Sequence, residues 1–231
     1  MNILALDTST NTLHLALKGD DFYEERMISE KLQHSDAMLG KIKELLSLHD
    51  LGIKDLNLLL CTQGPGAFTS LRISMSTLKG FSVALGIPLV TVPTLDVLSD
   101  IVSFFPGAIL PVIDAKKNRY YLGLYQDGNS VIKSLDGNAE NIIDSVNKME
   151  RVLVTGPDCQ AFAKKLLALS PSAKIFVDNE EKRNCCQSLI KLGLEQFEKR
   201  GADDIGQGPV YIRRSDAEEA FLQKKNKEYL V

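Results

Sequence analysis

The chain opens on an apolar run, residues 2–7 (NILALD), that reads as a strand buried on both faces. After a Thr-Ser-Thr turn, residues 11–18 (NTLHLALK) alternate as a half-buried strand does, and residues 21–28 (DFYEERMI) extend the meander. The period then lengthens. From Ser35 to His49, Met38, Ile42, Leu45 and His49 form one helical stripe, Leu39 and Leu46 widen it, and Lys41 and Glu44 point elsewhere. A strand at 56–63, a helix from Thr69 to Leu85, a strand at 87–92 and a short helix at 94–102 follow. At Pro106-Gly107 the pattern restarts with a strand at 108–114 ending in aspartate, then a hairpin over 119–135 turned by Asp127-Gly128. The remainder predicts a helix at 138–147, a strand at 151–156, a helix from Asp158 to Leu169, a strand at 174–177, a helix from Asn184 to Lys199 and a charged tail.

Both halves begin with a strand that ends in aspartate (Asp7, Asp114), continue through antiparallel strands and finish in α/β alternation. That order predicts an α/β protein whose mixed sheets are partly parallel and flanked by helices. Two such lobes are the organisation of the actin/Hsp70/sugar-kinase superfamily. The lobes are expected at 1–106 and 107–231, with the last helix packing back on the N-terminal lobe.

Composition changes this picture little. The 231 residues are 44% hydrophobic and 25% charged, enough for a real core. A net charge of −3 offers no electrostatic reason for direct nucleic-acid binding. Cys61, Cys159, Cys185 and Cys186 contain no C-x-x-C pair and fit reduced thiols in a cytoplasmic protein. No apolar window reaches the ~18 residues of a membrane span, and no leader pattern precedes the first strand.

The stretch Gly64–Ser74 (GPGAFTSLRIS) follows a strand and opens a helix, the setting in which free backbone amides seat an anion. It lacks the lysine of a Walker A loop. The first lobe has DTST, with Ser9 where the superfamily usually places a close-approach glycine; the second has DAKK, also without one. For an adenosine pocket the sequence offers only Gly156. Asp7, Ser9, Gly64, Gly66 and Asp114 are therefore candidates for a residual phosphate-facing set. Asp7, Asp96 and Asp114 are candidate acids, with strand-end capping and surface positions as the structural alternative. His14 alternates on a strand. His34 and His49 lie at opposite ends of one helix, about 22 Å apart at ~1.5 Å per residue, too far to share an ion. No metal ligand set emerges. A small ATP-dependent kinase or hydrolase using Asp7 and Asp114 stays open as the enzymatic alternative.

The strings ILALDTST, EKLQHSDAMLGKIKELL, CTQGPGAFTSLRIS, DAKKNRYYLGLY and GPVYIRRSDAE fall in the order and spacing of the bacterial TsaB (YeaZ) family, which the chain resembles over most of its length, most densely over 2–120. The resemblance implies a degenerate sister of TsaD proteins. Such a chain is a non-catalytic scaffold in the complex forming N6-threonylcarbamoyladenosine (t6A) at position 37 of tRNAs reading ANN codons. It implies TsaD as the direct partner, TsaE and tRNA reached through the complex, a homodimer when TsaD is absent, and ATP or ADP only at the boundary with TsaD. The TsaD metal pair, His-x-x-x-His, is replaced by Thr94 and Leu98, neither of which substitutes for an imidazole. Ala67, Ser70 and Ser74 stand where the family commonly has Ser, Gly and Gly. Docking is expected through the helices at 35–49 and 69–85, with Ser35, Met38, Leu39, Ile42, Leu46, Ser70, Leu71, Ser74 and Thr77 in the interface. On that expectation, aspartate at Ile42 and Leu46 leaves a folded chain that no longer binds TsaD.

Overall fold

The structure, a computed structural model, describes residues 1–29, 34–180 and 183–213, without the side chains of 34–37. The first sheet contains β1 (Ile3–Asp7), β2 (Leu13–Lys18), β3 (Tyr23–Ile28), β4 (Leu58–Thr62) and β5 (Leu89–Val92), in the order β3-β2-β1-β4-β5. β1 pairs antiparallel with β2, placing Asp7 opposite His14, and parallel with β4. The second sheet contains β6 (Ala108–Lys116), β7 (Arg119–Gln126), β8 (Asn129–Gly137), β9 (Val152–Thr155) and β10 (Ile175–Val177), in the order β10-β9-β6-β7-β8. Read from its own first strand, each sheet has the same topology: two antiparallel strands to one side and two parallel strands to the other.

Helices α1 (His34–Ser47) and α2 (Phe68–Leu85) cover one face of the first sheet, and α3 (Thr94–Ile101) bridges toward the second. α1 and α2 share one core with the sheet: Met38, Ile42, Leu45 and Leu46 meet Met75 and Leu78 and the strand residues Leu4, Leu6 and Leu15. Ile42 and Leu46 are only 0% and 2% exposed. These two side chains, expected at the interface, are therefore taken up inside the chain. Most of the broad apolar arc of α1 is consumed by two neighbours within the chain, a sheet and a helix, and Leu39 is the part of it left exposed.

One predicted helix is mostly a turn. Only Ile143–Val146 (α4) is helical within 138–147. The Asn138 and Asn141 side chains accept each other's backbone N–H at 3.3 and 2.8 Å, and such local bonds compete with helical ones.

After α5 (Cys159–Leu169) and β10, the chain returns to the first sheet. Cys185, Cys186, Leu189 and Ile190, at the start of α6 (Cys186–Arg200), pack on Ile3, Ala5, Leu58, Leu60 and Val90. Beyond α6, the Asp203 carboxylate accepts from the Thr91 N–H and hydroxyl at 2.7 and 2.6 Å, and the Lys79 ammonium donates to the carbonyls of Ile205 and Gln207. Among the described residues no helix is long and apolar enough to cross a membrane.

Candidate functional site

The lobes face each other across a cleft of about 370 Å³, near the lower end of the ~300–1,000 Å³ typical of ligand sites. Ser9, Thr10, Gly66 and Phe68 line it from the first lobe, and Asp114, Lys116, Tyr121 and Asp158 from the second. The glycine loop at its edge is used mainly for packing. A Cβ on Gly66 would sit 2.3 Å from the carbonyl oxygen of Ser9, and that same carbonyl accepts the Ala67 N–H at 2.7 Å. Gly64, at φ +100°, backs onto the carbonyl of Val210 and the side chain of Leu71, so it seats the returning C-terminal segment and does not line the cleft.

The candidate acids are also engaged. One oxygen of Asp7 accepts from the Ser9 N–H (2.9 Å) and the Thr62 hydroxyl (2.6 Å). Asp114 accepts from the backbone and ammonium of Lys116, both at 2.8 Å. Burial opposes that ionisation, but the Lys116 bonds hold the Asp114 carboxyl below its ordinary range. Asp96 lies apart, bonded at 2.6 Å to the Tyr125 hydroxyl, and burial pushes its pKa up. The Ser9 hydroxyl, behind the cleft wall, is buried and has no hydrogen-bond partner.

The expected partner-facing residues separate into two groups. Met38, Ile42, Leu46, Leu71 and Ser74 are within 2% of full burial, and Ser70 is 9% exposed. Ser74 faces inward, its hydroxyl 2.8 Å from that of Thr8, and the backbone carbonyl of Ser70 lies 2.9 Å from the same Thr8 oxygen, which has one proton to donate between them. Leu39 is 45% exposed and Thr77 partly so. The side chains of Ser35 and His34 lie outside the described residues, as does the chain beyond Arg213, including the end of the GPVYIRRSDAE string.

The outward surface has features the sequence reading passed over. On α2, Phe68, Arg72 and Lys79 contact the C-terminal segment; Arg72 donates to the Tyr211 hydroxyl at 2.6 Å and its guanidinium lies 3.9 Å from the Phe68 ring centre. The neighbouring strip stays open: Ser76, Gly80 and Ala84 at four-residue spacing, with Val83 beside them at 71% exposure. α1 shows Leu39, Gly40 and Lys43 outward. Cβ atoms built at Gly40 and Gly80 meet nothing within 4 Å. A glycine inside an exposed helix costs about 1 kcal/mol relative to alanine, and no contact among the described residues offsets it.

Thr94 and Leu98, where the resemblance places a His-x-x-x-His pair, offer no imidazole. Thr94 is 1% exposed with an unpartnered hydroxyl, and Leu98 lines a second, smaller pocket with Asp7, His14 and Cys185. His49 stacks on Phe22 at 3.9 Å and lies 3.1 Å from the Glu24 carboxylate, a structural placement.

Two lobes of one sheet topology closing on a cleft define the two-lobed actin/Hsp70/sugar-kinase class of fold. YeaZ from Pseudomonas aeruginosa superposes with a TM-score of 0.76 at 21% identity, covering 91% of this chain and 99% of that one. The chain matches the family model of TsaD, tRNA N6-adenosine threonylcarbamoyltransferase, over residues 27–195. It is 31% identical, over 97% of its own length and 100% of the relative, to the tRNA threonylcarbamoyladenosine biosynthesis protein TsaB of Bacillus subtilis. The Escherichia coli protein of that name is 29% identical over 57% of this chain and 58% of its own. The chain belongs to the TsaB (YeaZ) family.

Proposed function

We propose that this chain takes part in forming t6A at position 37 of ANN-reading tRNAs, as a platform that docks a TsaD-type protein through the outward faces of α1 and α2 and performs no chemistry alone. The carrying observation is the pair of helix-interior glycines, Gly40 and Gly80, each with open space where a Cβ belongs. Glycines at such sites let a second helix approach closely, and the Ser76–Gly80–Ala84 strip with Val83 supplies small and apolar contact beside them. Support for a non-catalytic role comes from the engaged Asp7 and Asp114 and from Thr94 and Leu98 at the metal-pair positions. The same face serves a homodimer when TsaD is absent. TsaE and tRNA join through the complex, and ATP or ADP binds at the boundary with TsaD.

The test separates folding from docking. Changing Gly40→Gln together with Gly80→Gln stabilises the isolated chain by roughly 0.5 kcal/mol per site, because glutamine is the better helix former. It should nevertheless reduce co-purification with a TsaD protein at least tenfold, since the added side chains hold the helices apart. A more stable variant that still co-purifies fully would place docking elsewhere.

A further inference from the structure

Where the start of α6 meets β1 and β2, five side chains that ligate metals converge around Asp7. Cross-strand pairing puts Asp7 and His14 on one face of the sheet, and Cys185 reaches them from α6. The ligand atoms of Asp7, His14 and Cys185 lie within 4.8 Å of one another, and those of Glu25, Cys185 and Cys186 form a second such triplet. Ala5 and Ala16, fully buried beneath them, have the small side chains that leave room for the cluster.

Three features distinguish this arrangement from an ordinary polar network. The first oxygen of Asp7 is saturated by Ser9 and Thr62, yet its second has only the weak thiol donor of Cys185, at 3.5 Å. His14 has a side chain only 9% exposed, and its Nδ1 has no hydrogen-bond partner although the Glu25 carboxylate lies 3.5 Å away. Two carboxylates are thereby brought to one buried place beside that imidazole. Zinc–ligand bonds of about 2.0–2.3 Å in a tetrahedron separate neighbouring ligand atoms by roughly 3.3–3.8 Å. The observed sulfur–oxygen separation is of that size.

We infer that Asp7, His14 and Cys185 form a zinc site, with Glu25 and Cys186 adjoining, that fastens the N-terminus of α6 to the first sheet. The mixture of thiolate, imidazole and carboxylate selects a borderline-soft divalent ion over magnesium or calcium. On binding, Cys185 gives up its thiol proton to solvent through the cleft that Asp7, His14 and Cys185 line, and the sulfur becomes a ligand. The site joins positions 178 residues apart, so metal binding reports on the closed fold. It shares no ligand with the Thr94/Leu98 position and stands independently of the docking reading.

The experiment uses the full chain, purified under reducing conditions, freed of metal by a chelator and titrated with Co²⁺ and then Zn²⁺. The expected result is one Co²⁺ per chain with the visible and thiolate charge-transfer bands of a tetrahedral site, displaced by one Zn²⁺. Saturating zinc should raise Tm by about 5–10 °C at a hundredfold excess over Kd. Cys185→Ser and His14→Gln should lose the bands, and Cys159→Ser, a buried cysteine elsewhere, should keep them. Should either variant fail to fold, the zinc-dependent Tm of the unaltered chain decides. No cobalt bands and no zinc effect on Tm would overturn the inference, as would bands that survive in both ligand variants.

Discussion

Replacing Ile42 with aspartate is expected to unfold the chain. The side chain is fully buried between Leu4, Leu6 and Leu15 of the sheet and Met75 and Leu78 of α2. Losing the isoleucine packing costs about 2–5 kcal/mol, and placing a carboxylate there without a partner adds several more. Against a typical stability of about 5–15 kcal/mol, the sum removes most or all of it. Loss of the cooperative thermal transition, or insoluble expression, is the readout. Leu39→Asp, on the same helix but 45% exposed, should change stability by no more than about 0.5 kcal/mol. A folded Ile42→Asp chain of unchanged Tm would contradict the placement of α1. For that reason Ile42 and Leu46 cannot serve as docking probes: any loss of partner binding would follow from loss of the fold.

The second large effect belongs to the glycine loop. In Gly66→Ala the new methyl group meets the Ser9 backbone at 2.3 Å from its oxygen and 2.8 Å from its Cα. Backbone cannot rotate aside as a side chain can, so the two loops must separate and the 2.7 Å bond from the Ala67 N–H to the Ser9 carbonyl is strained. A loss of about 1–3 kcal/mol is expected, or roughly 3–10 °C in Tm for a chain of this size. Gly80→Ala, where nothing lies within 4 Å, should instead gain about 1 kcal/mol. Equal effects at the two glycines would show that Gly66 does not pack against the DTST turn. The contrast also answers what this phosphate-like loop does: its glycine brings two loops together and turns the chain into α2.

Much of this architecture is legible in the chain because each element carries its own period. β1 and β4 read as unbroken apolar runs since both faces are covered, and the Asp127-Gly128 turn sits where β7 and β8 meet. The topology shared by the two sheets is visible as a repeated order of elements. What stays hidden depends on contacts between distant segments. The wide stripe of α1 looks like surplus until α2 is seen to claim part of it. Ser70 and Ser74 look like small interface residues until Thr8, from another strand end, is found bonded to them. His14 looks isolated because its cysteine neighbours arrive from the last helix. Gly40 and Gly80 sit inside helical stretches of the sequence, and their meaning needs the observation that nothing packs on them.

The most direct measurement for the whole account is a reconstitution in which t6A is quantified on an unmodified ANN-reading tRNA, with threonylcarbamoyl-adenylate supplied and each protein omitted in turn. The account predicts no t6A and no ATP turnover from this chain alone, and a large loss of t6A when it is withheld from a mixture containing TsaD and TsaE. Threonylcarbamoyl transfer or sustained nucleotide hydrolysis by the isolated polypeptide would contradict it.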